Sequence, residues 1–240
     1  MTEKRRFVCI NCGHAVKELF KKYSNTLKTT HCEKCHQITD KYIEFEEFII
    51  LIDALLLDSF AFRHIIYNGE FKIYWKVSLV VLLLESFALC RQNLTDPSQA
   101  DLHIHEKGFY TYTLQNIGDY LLMTLLLLMI TATLSIEWMK RMGVRNFTLI
   151  IFKVVLISNL SKFFLLPILV WRSNTTVFGR SLHHLLVMGH HLCSLVLAYE
   201  AVGATRKVFR WWAFTLVVLA FVLKETTRHF VALLLEDNFT

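Results

Sequence analysis

Two cysteine pairs near the start of the chain, Cys9-Ile10-Asn11-Cys12 and Cys32-Glu33-Lys34-Cys35, constrain its fold more than any other feature. Nineteen residues separate them, the ligand spacing of a zinc ribbon. Zinc takes four soft ligands in a tetrahedron, and two Cys-x-x-Cys turns supply two thiolates each. Gly13 directly follows the first pair, where such a knuckle needs a residue tolerant of positive φ. Cys9, Cys12, Cys32 and Cys35 are therefore read as zinc ligands. Two disulfides or four free thiols are the competing readings. A redox pair would sit in a βαβ pattern, which is absent here. Four cysteines close the coordination shell, so the metal is expected to fold the module rather than to catalyse. A segment this short buries little core, and metal binding supplies most of its folding free energy. His14, His31 and His36 crowd the ligands and are expected beside them, with replacement of one cysteine as the alternative. Lys4, Arg5, Arg6, Lys17, Lys21, Lys22 and Lys28 read as a solvated surface, with RNA or acidic lipid headgroups as the alternative contact.

Almost everything after this module reads as membrane. Of 240 residues 54% are hydrophobic, and the mean hydropathy of +0.41 exceeds what a soluble domain needs. The net charge of +6 is spread over short loops between apolar runs, which points to membrane topology and to no nucleic-acid partner. The polar N-terminal stretch that carries the cysteines shows no cleavable signal peptide, so the first span is expected to act as the insertion signal.

Three units follow from the pattern: a zinc ribbon over 1–40, an amphipathic helix over 41–68, and a transmembrane region over 69–240. In the second unit, Lys41–Ile43 is read as an extension of the ribbon's sheet. Beyond it, Glu47, Ala54, Asp58 and Ala61 fall on one helical face, with Glu46 and Asp53 beside it. Phe45, Phe48, Ile49, Ile52, Leu55, Leu56, Phe60 and Ile65 cover the other. Asp53 and Asp58 interrupt the apolar run, so it is too short and too charged to span alone. The expectation is one helix lying in the membrane interface, with packing on the bundle as the alternative. The third unit carries four to five spans at about 74–90, 120–139, 147–171, 185–202 and 211–223, with Gln92–Asp119 read as a polar loop and Pro167 as a kink. Basic residues set orientation. With the N-terminus cytosolic, Lys140/Arg141/Arg145 and Arg206/Lys207/Arg210 lie inside, against Arg91/Lys107 and Arg172/Arg180 outside. The sequons at Asn93 and Asn174 then face the lumen, too close to span ends for heavy use.

Charges inside spans are costly and are functional hypotheses by default. Glu85, Glu137, Lys153, Lys162 and Glu200 qualify; Glu85 and Lys153 lie deepest and are read as an ion pair or as a polar site for a lipid headgroup. His183-His184 and His190-His191 are seven residues apart, two turns along one helix and too far for both pairs to hold one metal. Hydrogen bonding between helices is the expectation for them, with acid–base chemistry as the alternative. No Ser-His-Asp grouping, P-loop or dinucleotide fingerprint is present, and the chain is expected not to be an enzyme.

The stretch from Met1 to Asn68 resembles the homology domain of the Arv family, the ACAT-related proteins required for viability. The resemblance rests on Cys9-x-x-Cys12-Gly13, Leu19-Phe20-x-x-Tyr23-Ser24, Thr30-His31-Cys32-x-x-Cys35 and Asp40-Lys41-Tyr42-Ile43-Glu44-Phe45. It continues through Ile50-Leu51-Ile52-Asp53-x-Leu55-Leu56-Leu57 to Arg63-His64-Ile65-Ile66-Tyr67-Asn68. Leu27-Lys28 and Asp58 depart from the family pattern. The resemblance implies a multi-pass protein of endoplasmic reticulum lipid homeostasis, linked to sterol movement, sphingolipid balance and early glycosylphosphatidylinositol-anchor synthesis. Its implied partners are membrane lipids (sterol, sphingolipid or an anchor precursor) and the subunits of an endoplasmic reticulum enzyme complex. Tyr42, Glu44, Asp53, Arg63, His64, Tyr67 and Asn68 carry over as motif positions without assigned roles. The combined expectation is an α-helical multi-span membrane protein with a small N-terminal zinc ribbon of short β hairpins and an amphipathic juxtamembrane helix. Its function is then non-enzymatic lipid, and in particular sterol, transport. The alternatives are an accessory subunit of an anchor-synthesis complex docking through the ribbon, and a membrane acyl- or glycosyltransferase using the histidines.

Overall fold

A computed structural model of the chain describes residues 7–23, 26–93, 102–134, 143–164, 177–203 and 214–224, with 140, 211 and 226 as single positions. The N-terminal module is two antiparallel hairpins. Strand β1 (Phe7–Val8) pairs with β2 (Ala15–Val16), and β3 (Phe20–Tyr23) with β4 (Thr26–Thr29). Each Cys-x-x-Cys turn closes in the same way. The amide following the second cysteine donates to the first cysteine's carbonyl, Gly13 to Cys9 and His36 to Cys32, both at 2.9 Å. Both closing residues take positive φ, +71° at Gly13 and +59° at His36. The second knuckle thus places a non-glycine residue where the first uses glycine.

The single interfacial helix expected over 41–68 is instead four short pieces. Lys41–Glu44 is a 3-10 turn rather than a strand, capped by Asp40, whose carboxylate accepts from the Tyr42 amide at 3.0 Å. Helix α1 runs Glu47–Leu55 and α2 Ser59–Arg63, and a π turn follows over His64–Asn68. The break lies at Leu57, where φ is +67°, and Asp58 restarts the chain as an N-cap, accepting from the Phe60 amide at 2.9 Å. Gly69 closes the π turn; a Cβ there would sit 3.2 Å from His64 Nε2. The two halves face different surroundings. In α1 the small and acidic side packs inward, burying Ile50 and Ala54, while Phe48 and Leu56 stay 68% and 72% exposed. Ala61, Phe62, Ile65 and Ile66 are buried, because α2 packs on the bundle. Packing on the bundle thus replaces the interfacial expectation for α2, while α1 keeps one apolar side exposed.

Helices α3 (Lys72–Asn93), α4 (Leu102–Leu134), α5 (Val144–Asn159, continued as a 3-10 turn over Leu160–Phe164) and α6 (Val177–Val202) form the bundle. Among the described residues, four segments are long and apolar enough to cross a membrane: Lys72–Cys90, Gly108–Thr133, Val144–Phe164 and Leu185–Val202. A further apolar helix, α7 (Phe214–Lys224), is shorter. The expected polar loop Gln92–Asp119 is corrected, since α4 begins at Leu102. Two of its polar residues bond inside the helix pair: Asn116 Nδ2 donates to Ser86 Oγ at 2.9 Å in the α3–α4 contact, and Thr113 donates to the Phe109 carbonyl. Pro167, Asn174 and Glu137 lie outside the described residues, as do the side chains of Asn93, His183 and His184. The ribbon and the bundle share one hydrophobic core, in which Ile10 and Tyr42 join Ile65, Ile151 and Tyr199.

Candidate metal centre and its joint with the bundle

The four predicted cysteines converge. Their Sγ atoms all lie within 4.8 Å of one another, with Cys9–Cys35 at 3.8 Å and Cys12–Cys32 at 3.6 Å. A tetrahedron with zinc–sulfur bonds of about 2.3 Å has edges of about 3.8 Å. A disulfide would need about 2.0 Å. The donor set therefore fits a soft metal ion. Burial pushes the Cys12 thiol up to about 12, reinforced by neighbouring sulfurs. At Cys32 burial also raises the pKa, but the Cys35 and Lys34 amides donate to the sulfur and bring it down to about 7. His14, His31 and His36 are exposed, and none joins the cluster.

Six of the seven motif residues that lacked roles, all but Glu44, form the joint between this centre and the membrane helices. Arg63 Nη1 donates to the Ile10 carbonyl and, at 3.1 Å, to the Asn11 carbonyl, both between the two cysteines of the first knuckle. Burial pulls the Arg63 pKa down, yet a guanidinium stays protonated in proteins. Asn68 pairs with β1 as a further strand would: its Oδ1 accepts from the Val8 amide at 2.9 Å, and its Nδ2 donates to the Val8 carbonyl at 2.8 Å. Asp40 is fully buried, and its carboxylate accepts from His64 Nδ1 at 2.7 Å, Asn68 Nδ2 at 2.6 Å and the Tyr42 amide. Three donors compensate a carboxylate that burial alone would penalise. Tyr42 Oη lies 2.9 Å from both Asp53 and Asp58, and it bridges α1 to the cap of α2 across the Leu57 break. Burial, then the two carboxylates, raise the Tyr42 phenol above its ordinary value. Tyr67 Oη donates at 3.0 Å to the carbonyl of Val202, an orphan acceptor at the end of α6. Glu44 is exposed and joins none of these contacts.

The profile of the Arv1-like family matches residues 8–195. This chain belongs to the Arv1-like family. Protein ARV1 of Bos taurus is 32% identical over 228 residues, covering 92% of this chain and 77% of that protein. Protein ARV1 of Homo sapiens is 29% identical over 231 residues, covering 94% and 82%. Protein ARV1 of Candida albicans is 41% identical over 63 residues, covering 25% and 21%. No solved structure matches the chain. Arv1-like membership, with four apolar helices, makes this a membrane protein and supports a role in lipid homeostasis.

Within the Arv1-like bundle the expected Glu85–Lys153 pair is corrected. Glu85 pairs with Lys162 at 2.8 Å. Lys153 Nζ instead donates to the Ile66 carbonyl at 3.0 Å and stands over the Phe71 ring, which ties α5 to the π turn. His191 Nδ1 faces the Ser158 carbonyl at 3.0 Å, and His190 Nε2 faces the Leu55 carbonyl at 2.9 Å. Both bonds link α6 to a neighbouring element, as hydrogen bonding between helices requires. Sequence reasoning had Asp40 only as the start of a family motif and missed its place as the hub of the joint, and it missed the bond from Tyr74 Oη to Glu47 that ties α1 to α3. A buried aspartate between the last ribbon strand pair and the next turn is recognisable only as an N-cap, which understates its three donors.

Proposed function

We propose that this Arv1-like chain is a non-enzymatic mediator of lipid movement and homeostasis, chiefly of sterol, in the endoplasmic reticulum membrane. Its cap faces the cytosol. Zinc is the metal of the four-cysteine site, and four thiolates leave it no open position, so its contribution is to hold the cap folded. The observation that carries the reading is α1. Phe48, Ile49, Ile52 and Leu56 stay exposed on one side of a short helix. The other side is fixed by Glu47–Tyr74 and by Asp53–Tyr42. A fixed apolar ridge beside the bundle suits insertion into the headgroup boundary, where it perturbs lipid packing and eases lipid departure.

The test is sterol transfer between vesicles by the purified full chain reconstituted in liposomes. Transfer should exceed that of protein-free vesicles, and Phe48→Asp together with Leu56→Asp should abolish the excess while zinc content stays unchanged. Rates equal to protein-free vesicles would sink the reading. Anchor-synthesis subunits co-purifying at fixed ratio, lost in Cys12→Ser with its zinc, would instead make the cap a docking module. Loss of function in His190→Ala and His191→Ala with folding intact would favour the transferase.

A further inference from the structure

The bundle holds a second polar centre, in the half away from the ribbon. Glu85 and Tyr120 each lie about 20 Å along their helices from the cap-side ends of the spans, at 1.5 Å per residue. There Asp119 and Tyr120 of α4, Asn159 and Lys162 of α5, His191 of α6 and Lys224 of α7 surround a gap of about 10 Å³. That is the room one water-sized group occupies. Most of these polar groups are engaged. Lys162 pairs with Glu85, His191 bonds Ser158, and Asn159 Nδ2 donates to the Val155 carbonyl at 2.8 Å. Tyr120 is the exception. It is only 7% exposed, lines the gap, and its hydroxyl has no hydrogen-bond partner among the described residues. The Lys162 ammonium lies 5.0 Å from the centre of its ring, on the ring's face rather than at the hydroxyl. A buried hydroxyl without a partner is costly and marks a place where a partner belongs.

We propose that this gap receives the uncharged hydroxyl of a membrane lipid, entering from the leaflet opposite the ribbon, with Tyr120 donating to the lipid oxygen. Size and charge choose the ligand. The enclosed part of the gap is water-sized, which suits a single oxygen better than a phosphodiester. Among the described residues, the two ammonium groups Lys162 and Lys224 are matched by two carboxylates, Glu85 and Asp119, so a charged headgroup would unbalance a low-dielectric site. The Lys162 and Glu85 side chains beside it keep 14% and 13% of their exposure, so the surface lies one side chain away from the gap. The inference rests on the lipid-handling reading above and gives it a place in the bundle.

The test is thermal unfolding of the full chain in lipid-free detergent micelles with added dioleoylglycerol, cholesterol or dioleoylphosphatidylcholine. At least one of the two single-hydroxyl lipids should raise the Tm of the wild type above the value with dioleoylphosphatidylcholine. In Tyr120→Phe the lipid concentration giving half that rise should increase about fivefold to tenfold, the loss of one hydrogen bond. Without lipid, Tyr120→Phe should unfold no lower than the wild type, because it deletes an unpartnered hydroxyl. Equal responses to all three lipids, or equal responses of the two proteins, would overturn the site and leave water as the occupant of the gap. Sterol transfer that persists in that case keeps the lipid-handling reading and rejects this site alone.

Discussion

Asn68→Ala should loosen the ribbon from the bundle without emptying the metal centre. The side chain makes three bonds across the joint: two to the Val8 backbone at 2.9 and 2.8 Å and one to the Asp40 carboxylate at 2.6 Å. Each neutral bond is worth about 1 kcal/mol and the charged one about 1.5–3 kcal/mol. Their sum is about 4 kcal/mol, and the joint's partial exposure places the expected loss nearer to about 3 kcal/mol. At about 1.4 kcal/mol per factor of ten, local opening at β1 should become about a hundredfold more frequent. Hydrogen exchange reads this directly, since the Val8 amide donates to the deleted group. Exchange across 7–16 should accelerate while zinc stoichiometry stays at the wild-type value, because no cysteine is touched. Asn68→Asp sharpens the test. It keeps an acceptor for the Val8 amide but sets a second carboxylate against Asp40, and it should open the joint further than alanine does. Unchanged exchange at Val8 would refute the joint. Loss of metal together with protection would show that the ribbon cannot fold undocked.

Arg63→Met removes both bonds that Nη1 makes to the first knuckle's carbonyls, and competition with a chelator should show zinc affinity about tenfold to a hundredfold weaker, the usual effect of losing a group that positions ligands. Tyr42→Phe should change the alkaline limb of stability. The buried phenol's raised pKa keeps it neutral in the folded chain, so its contribution is intact below the unfolded value of about 10 and is lost as the unfolded chain ionises above it. Denaturant unfolding against pH should therefore fall less steeply above pH of about 10 in the variant. Glu85→Leu and Lys162→Met should each cost about 3 kcal/mol in unfolding assays, because either leaves a buried charge without its partner. The double variant should recover most of that loss, and additive losses would exclude the pair.

The parts of the fold that were legible are those with a fixed period or spacing. Two Cys-x-x-Cys turns specify a tetrahedron whatever surrounds them, and long apolar runs specify spans. The break at Leu57 was less visible. Asp58-Ser59 carries an N-cap signal, but helical periodicity continues smoothly through it and masks the cap. The partner of Glu85 was not decidable by depth. Glu85 lies just past the middle of α3, and the matching depth in α5 falls between Lys153 and Lys162. Position along the span cannot choose between them. Contact with the π turn does, because the Ile66 carbonyl takes Lys153 and leaves Glu85 to Lys162. The polar stretch 102–119 read as a loop because hydropathy counts Asn116 and Thr113 as exposed. They are bonded inside helices, where the cost that hydropathy assigns them has been offset.

The joint gives a reason for a four-cysteine module and a membrane bundle to occur in one chain. A two-hairpin module has little core of its own, and on the proposed reading a metal held by the four cysteines would fix the first knuckle, whose Ile10 and Asn11 carbonyls face Arg63. Those carbonyls receive Arg63, which closes α2, and the next turn supplies His64 and Asn68 to Asp40 and β1 and Tyr67 to the end of α6. A cap tied through backbone carbonyls at one end and a helix terminus at the other cannot swing independently of the bundle. The angle at which α1 presents Phe48 and Leu56 is therefore set from both sides, by the Tyr42 bridge to the cap and by Tyr74 in α3. Metal loss should then act on the membrane as well as on the cap. Chelation should increase exchange in α1 along with the ribbon, whereas a cap that served only as a docking tag would lose its own protection and leave α1 unchanged.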